Sequence, residues 1–165
     1  MTRRTQLNAE HLEAWRAFLR AHAAVTWRIA EDLDRRAGAL PLAWYDVLIA
    51  LERAPERRLR MFELADAVVL SRANLTRLVD RLEAAGLLRR VPVPGDRRGA
   101  YAALTDNGRA ALRRTWPLYA EAIEARFARL LGEDEARIVR SVFQRVLAAA
   151  RGEGAGPDEA PAPGT

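Results

Sequence analysis

Hydrophobic residues recur at steps of three and four along most of the chain, which is the spacing of a helix with one buried face. The first such stripe runs from about Leu7 to Ala37 and ends at Gly38. It consists of Leu12, Trp15, Phe18, Leu19, His22, Val25, Ile29 and Leu33. Further helices are predicted at residues 44–53, 62–68, 71–86, 108–131 and 133–150. The pattern therefore predicts a mainly helical protein.

One part of the chain changes from this helical period to the alternation of a strand. Residues 87–93 alternate and contain β-branched valines, Pro94-Gly95-Asp96 is a strong turn signal, and residues 99–104 return as a second strand. The prolines confine this ribbon to the edge of a sheet. We therefore expect a hairpin with Arg97 and Arg98 at its turn, directly after the helix 71–86. Such a tip is narrow enough for the DNA minor groove, whose negative potential favours arginine.

The helix 71–86 combines a buried face with a basic one. Its buried spacing is made by Leu75, Leu78, Val79, Leu82 and Ala85. Its opposite face carries Ala73, Thr76, Arg77, Asp80, Arg81 and Ala84. Ser71 suits the N-cap, and Gly86 suits the residue just past the C-terminus. A capped helix with a basic, small-residue face suits the DNA major groove, although taken alone it equally fits a solvated surface helix.

The neighbouring elements favour the DNA-binding interpretation. A short helix at 62–68 and a tight turn at Val69-Leu70 precede the helix 71–86, which is a helix-turn-helix pattern. With the hairpin, the fold class is mainly α with a small β-wing: a winged helix-turn-helix flanked by N- and C-terminal dimerisation helices. We divide the chain into an N-terminal dimerisation helix (1–37), the DNA-binding region (38–105) and C-terminal dimerisation helices (106–150). A Gly- and Pro-rich tail (151–165) is expected to be disordered.

Composition narrows the class of protein. The formal net charge is +5 and the pI is near 10.8, which favours a polyanionic partner. All basic residues are arginine, which forks onto phosphates and guanine edges, although coding bias also explains it. The absence of cysteine excludes disulfides, thiolate metal sites and thiol redox sensing. Without a bilayer-spanning apolar run or a signal-peptide core, a cytoplasmic location is expected.

Candidate chemistry points to binding rather than catalysis. The sequence offers no Ser/His/Asp arrangement, phosphate-cradling glycine loop or carboxylate pair, so an enzyme is not predicted, and neither a cofactor nor a metal is expected. Two functions remain: a sequence-specific transcriptional regulator, and a non-specific architectural DNA-binding protein on the same fold. Competition with random DNA would separate them.

Motifs between Leu59 and Ala110 resemble the MarR (multiple-antibiotic-resistance regulator) family of winged-helix transcription factors. The shared pattern comprises a serine opening the recognition helix, a Thr-Arg pair, Arg-Leu-Glu followed by Gly-Leu, Asp-x-Arg in the wing, and Leu-Thr-x-x-Gly. In this sequence these are Ser71, Thr76-Arg77, Arg81 to Leu87, Asp96 with Arg98, and Leu104 to Gly108. Two positions depart from the family: Val69 replaces a common turn glycine, and Phe62 replaces a common Ser or Thr cap, so the first helix of the motif is expected to be less well capped.

The resemblance implies a homodimer that binds a palindromic operator, with terminal helices at the dimer interface, the recognition helix in the major groove and a wing arginine in the minor groove. We assign DNA binding to Ser71, Arg72, Ala73, Asn74, Thr76, Arg77, Arg81, Asp96, Arg97 and Arg98. Arg77 is the expected base contact, and Thr76 meets a phosphate or a thymine methyl. Arg72 and Arg81 are expected either to contact phosphates or to be solvated charges on the helix surface. Asp96 orients Arg98, unless Arg97 is the true tip.

The resemblance also implies release from DNA by a small aromatic or phenolic effector bound between the dimer region and the winged helix. Trp15 and Trp44 lie on helices expected to meet there, with His22 and Tyr45 as polar groups and Trp116 as a further aromatic wall. Plain core packing explains each of these residues equally well, and the protein would then bind DNA constitutively.

Overall fold

The computed structural model describes residues 7–68 and 72–152, without the side chains of Arg72, Ala73, Arg97 and Arg98. The described elements are α1 (Ala9–Asp34), α2 (Leu42–Arg53), β1 (Arg58–Arg60), α3 (Met61–Ala67), α4 (Arg72–Ala84), β2 (Leu88–Val93), β3 (Asp96–Leu104), α5 (Asp106–Arg126) and α6 (Glu133–Ala150). The predicted mainly helical class is confirmed. The chain divides between Arg126 and Phe127 into two compact units. The predicted turn at Val69-Leu70 and most of the predicted tail lie outside the described residues.

The main core of the first unit lies beneath the helix-turn-helix. Helices α2, α3 and α4 contribute its fully buried leucines, Leu48, Leu51, Leu64, Leu75 and Leu82. The apolar face predicted for α4 is therefore confirmed at Leu75, Leu78, Val79 and Leu82, whereas Ala85 lies after the end of the helix and is exposed. Since α4 is fixed by burial of this face, its polar face is held outward.

The N-cap of helix α3 is a different residue from the one expected. It begins at Met61 rather than at Phe62, and its N-cap is Arg60. The backbone N–H of Arg60 donates to the Glu63 carboxylate at 2.7 Å, which is half of a capping box. Phe62 lies inside the helix and not at its cap. The N-cap residue Arg60 makes no side-chain capping bond, so the helix is less well capped at that residue, as expected.

The three strands form an antiparallel sheet in the order β1-β3-β2. The turn consists of Pro94 and Gly95, because Val93 pairs with Asp96, while the regular pairing of the two strands begins at Pro92 and Ala100, beyond a shift in register. Proline presets φ for the first turn position, and Gly95 takes the positive φ of 79° that the second requires. Arg97 and Arg98 fall within the bounds of β3, but they have no partner on β2 and lie in the irregular segment next to the turn, as expected.

Only the C-terminal part of α1 packs within the first unit. Ile29 and Leu33 are buried against Leu42 and Ala122, in a cluster separate from the main core. Asp32 accepts hydrogen bonds from the Arg126 guanidinium at 2.8 and 3.1 Å, and these bonds hold the pKa of its carboxyl down at about 2. The stripe predicted along the whole of α1 is therefore divided into a packed part and an exposed part.

The second unit contains α6, which has no buried residue among those described. Its apolar face is exposed and consists of Ile138, Val142, Phe143, Val146 and Leu147. The first turn carries Glu133, Asp134 and Glu135, as the helix dipole favours. The Gly132 N–H donates to the Glu135 carboxylate at 2.8 Å. The start of the helix is thus stabilised by local contacts, while none of the described residues of this unit buries its apolar face.

Candidate nucleic-acid interface and cavity

The outward face of α4 is polar and basic. Asn74, Thr76, Arg77, Asp80 and Arg81 are exposed, while the intervening apolar residues are in the core. Within the described part of the chain, Arg77 and Arg81 take part in no ion pair. Their guanidinium groups are therefore exposed to solvent without a carboxylate partner in that part of the chain. Of the other predicted contacts on this helix, Ser71 and the side chains of Arg72 and Ala73 lie outside the described residues.

The C-terminal end of α4 is joined to the start of α5. Gly86 adopts φ of 69°, and the Leu87 N–H donates to the Leu82 carbonyl at 3.0 Å, as in a Schellman motif. The Thr105 hydroxyl donates to the Gly86 carbonyl at 2.7 Å and accepts from the Gly108 N–H at 3.1 Å. The predicted role of Gly86 is confirmed, and the Thr105 hydroxyl both caps α5 and ties the two helices together.

Asp96 lies directly after the turn of the wing and makes contacts there. One carboxylate oxygen accepts from the Gly99 N–H at 3.0 Å, and the other lies 3.6 Å from the Arg60 guanidinium on β1. Arg60 also lies 5.7 Å from the centre of the Tyr101 ring, which gives a cation–π contact. The expected contact between Asp96 and Arg98 stays a prediction, because the side chains of Arg97 and Arg98 lie outside what the structure describes.

Sequence reasoning missed Arg90. It lies in β2 and reaches the two carboxylates of α4, Asp80 and Glu83. No local signal distinguishes it from its neighbour Arg89, since only the pairing of the hairpin with the rest of the fold places Arg90 over the helix.

A cavity of about 580 Å³ lies between α2 and α5. This volume is within the range of small-molecule sites. Its lining residues are Tyr45, Ile49, Glu52, Arg53, Arg109, Leu112, Arg113 and Trp116. Tyr45 and Trp116 both contact Tyr119 edge-on, with ring centres 4.8 and 6.4 Å apart. The cavity thus combines aromatic and aliphatic walls with several charged groups.

The other predicted effector residues lie elsewhere. Trp44 packs against the main core, and Trp15 and His22 lie either side of Phe18 on α1, with ring distances of 5.8 and 6.0 Å. Of the four residues expected to form the effector site, only Tyr45 therefore lines this cavity. The reason is that α1 packs on the first unit through its C-terminal part, beyond Trp15 and His22.

The charges lining the cavity are only partly balanced. Glu52 pairs with Arg109 at 3.3 Å and with Arg57 at 3.4 Å. Among the residues that the structure describes, Arg53 and Arg113 have no such partner. Burial raises the pKa of the Tyr45 phenol, so this group stays a hydrogen-bond donor at neutral pH. The wall therefore offers two guanidinium groups and a phenol to a ligand.

Over residues 7–68 and 72–152, no helix is long and apolar enough to cross a membrane. In the same residues, no group of three or more metal-ligating side chains occurs.

Residues 40–99 match the model of the MarR family. The crystal structure of Sco3205, a MarR family transcriptional regulator from Streptomyces coelicolor in complex with DNA, is 33% identical; the match has a TM-score of 0.77 and covers 90% of this chain and 92% of that one. The transcriptional repressor CouR bound to a 23-mer DNA duplex is 30% identical, with a TM-score of 0.69 and coverage of 86% and 99%. PecS, an HTH-type transcriptional regulator from Dickeya dadantii, is 35% identical over 62% of this chain and 61% of its own length. These likenesses confirm the winged-helix fold, and the relatives are regulators rather than enzymes.

Proposed function

Because the chain belongs to the MarR family of transcriptional regulators, we propose that it is a sequence-specific repressor that binds double-stranded operator DNA. The observation that carries this proposal is the exposed basic face of α4 on a helix whose other face is buried in the core. Such a helix enters a major groove as a rigid body. Sco3205 and CouR, each in complex with DNA, support the proposal by likeness.

The proposed contacts divide by chemistry. Arg77 reads a base edge, since a guanidinium matches the O6 and N7 acceptors of guanine. Thr76 meets a phosphate or a thymine methyl, and Arg81 contacts the backbone with Arg72. One of the wing arginines, Arg97 or Arg98, enters the minor groove beside the helix.

The test compares Arg77→Ala with Arg81→Ala on a selected operator and on random DNA of the same length. Arg77→Ala should cost about 1–3 kcal/mol on the operator and little on random DNA, because a base contact carries the specificity. Arg81→Ala should weaken both by a similar factor, as the loss of a phosphate contact does. If Arg77→Ala weakens both equally, Arg77 is a phosphate contact; if the parent protein selects no sequence, the architectural function replaces the regulator.

We further propose that two chains bind a palindromic operator as a homodimer. Trp15, Phe18 and Leu19 are exposed on α1, and α6 exposes the whole apolar face described above. Large exposed apolar faces mark interaction surfaces, and palindromic sites require two copies of the recognition helix about one DNA turn, roughly 34 Å, apart.

Truncation tests the assembly by size-exclusion chromatography with light scattering and by operator binding. Removal of the chain from Glu133 onward should abolish dimers and operator binding together, because it removes the apolar face of α6. Removal of only the tail from Arg151 should leave both intact. A monomer that binds the operator as tightly as the full chain would contradict the dimer.

Finally, we propose that a small aromatic anion in the cavity between α2 and α5 releases the operator. Tyr45 and Trp116 supply flat walls for an aromatic ring, and Arg53 and Arg113 supply charge for a carboxylate or phenolate. A ligand changes operator affinity only if it binds the DNA-incompetent arrangement more tightly, and a difference of a few kcal/mol is sufficient.

A screen of aromatic acids and phenols, scored by melting temperature and operator release, tests this proposal. A hit should lose both effects in Arg113→Gln and keep them in Arg114→Gln, the adjacent arginine of α5 that does not line the cavity. If no compound raises the melting temperature, or if binders leave operator affinity unchanged, the protein binds DNA constitutively.

A further inference from the structure

Arg90 of β2 makes three contacts with the C-terminal half of α4. Its backbone N–H donates to the Glu83 carboxylate at 2.7 Å, and its guanidinium pairs with the same carboxylate. The other guanidinium nitrogen lies 2.5 Å from the Asp80 carboxylate. These contacts favour the charged form, so the pKa of Arg90 is raised although its partial burial opposes this. One side chain thus joins the hairpin to α4.

The sheet explains why Arg90, and not Arg89, makes these contacts. Successive side chains of a strand point to opposite faces of the sheet. Leu88, two residues before Arg90, is buried in the main core beneath α4, so Arg90 shares its face. Arg89 points to the other face and is exposed. The two neighbouring arginines carry the same charge and differ in whether they reach the helix.

The contacts also change the charge that α4 presents. Between Asn74 and Ala84, the positive charges of Arg77 and Arg81 are balanced by Asp80 and Glu83. Both carboxylates are engaged by Arg90. With Arg90 included, three guanidinium groups stand against two carboxylates, so this surface has a net positive charge.

We propose that Arg90 is a positioning residue for operator recognition: its fork fixes α4 against the hairpin, so that helix and wing meet the DNA as one rigid unit. The inference rests on the proposed DNA-binding function and adds a residue that itself touches no base. A planar guanidinium bonded to two carboxylates fixes both the distance and the orientation of the hairpin relative to α4. A lysine ammonium group would fix the distance alone. Without this clamp, α4 and the wing bind their grooves less cooperatively, and the operator loses more affinity than random DNA does.

The first test measures operator and random-DNA affinity for Arg90→Gln, Arg90→Lys and the matched control Arg89→Gln. Arg90→Gln should weaken operator binding at least tenfold and random-DNA binding less than threefold, with Arg90→Lys in between. Arg89→Gln should weaken both DNAs by the same small factor. Equal losses for Arg90→Gln on the two DNAs would overturn the proposal.

A double variant separates positioning from charge. Arg90→Gln with Glu83→Gln keeps the net charge of the parent but lacks the clamp, so its operator binding should stay impaired. Recovery to the parent affinity would overturn the positioning role and leave only charge compensation.

A second measurement does not depend on DNA binding and so separates this proposal from the proposed function. The chain has no cysteine, and nitroxide labels at Ala84→Cys on α4 and Pro92→Cys on β2 report the distance between helix and hairpin. Arg90→Gln should broaden the distance distribution in free protein, and Arg89→Gln should leave it unchanged. An unchanged distribution in Arg90→Gln would refute the clamp, whereas broadening in a protein that selects no DNA sequence would refute the regulator and keep the clamp.

Discussion

Gly108→Ala is expected to destabilise the protein although alanine is the better helix former. Gly108 lies in the first turn of α5, where a Cβ atom would stand 2.1 Å from the Leu87 carbonyl oxygen and 2.7 Å from the Leu104 side chain. That carbonyl already accepts from the Thr105 N–H at 3.2 Å. A methyl group therefore forces the backbone between α4 and β2 to move by roughly 1 Å before van der Waals contact is restored.

The change in the free energy of unfolding caused by Gly108→Ala is the sum of three contributions. Replacing glycine in a helix adds about 1 kcal/mol of stability. Overpacking against a backbone carbonyl costs about 1–3 kcal/mol, and weakening the hydrogen bond from Thr105 to Leu87 costs about 1 kcal/mol more. The net loss is therefore about 1–3 kcal/mol.

Urea denaturation at fixed protein concentration measures this loss. With a slope on the order of 2 kcal/mol per molar urea, the midpoint should fall by roughly 0.5–1.5 M while the slope stays constant. Asn107→Ala is the matched control, because it brings a comparable gain in helix propensity at the exposed neighbouring position without the steric contact. If Gly108→Ala is as stable as Asn107→Ala, the close approach of α5 to Leu87 does not exist in solution.

Two further predictions concern carboxylates. The pKa of Asp32 is lowered in the folded protein, so its pairing with Arg126 stabilises the fold above the unfolded pKa near 4 and is lost as the pH falls towards 2. Asp32→Asn should therefore reduce the melting temperature at pH 6 and have progressively less effect from pH 4 to pH 2; a constant difference would contradict the linkage. Asp96→Ala should weaken operator binding although it removes a negative charge, because the carboxylate accepts from the Gly99 N–H and pairs with Arg60. Fluorescence anisotropy measures the operator affinity. A gain in affinity would show that the charge of Asp96 matters more than its contacts.

The sequence predicts best those features that depend on a few neighbouring residues. The buried face of α4 follows from spacing alone, and the turn after it follows from the tolerance of Gly86 for positive φ. The cap of α5 is equally local, because the Thr105 hydroxyl accepts from the N–H three residues further along the chain. These signals are local, so tertiary context did not alter them.

The features that the sequence failed to predict depend on contacts between distant segments. The stripe of α1 is continuous in sequence, yet only the part around Ile29 and Leu33 meets α5. Trp15 and Tyr45 have similar hydrophobicity, but the crossing of α1 with α2 and α5 leaves only Tyr45 at the cavity. Arg89 and Arg90 are neighbours in β2, and the register of the sheet decides which of the two side chains reaches α4.

The junction around Thr105 gives the proposed effector a physical route to the recognition helix. Helix α5 begins there, bonded through Thr105 to the Gly86 carbonyl at the end of α4. Within the next three turns the same helix presents Arg109, Arg113 and Trp116 to the cavity. The absence of a Cβ at Gly108 lets α5 lie directly on the Leu87 carbonyl, so a shift of α5 is passed to α4 through backbone atoms rather than absorbed by flexible side chains. If the proposed anion draws Arg113 inward, we expect the end of α4 to shift with α5. The effector response should then be reduced in Thr105→Val, which removes the bond to the Gly86 carbonyl and leaves the residues that line the cavity unchanged.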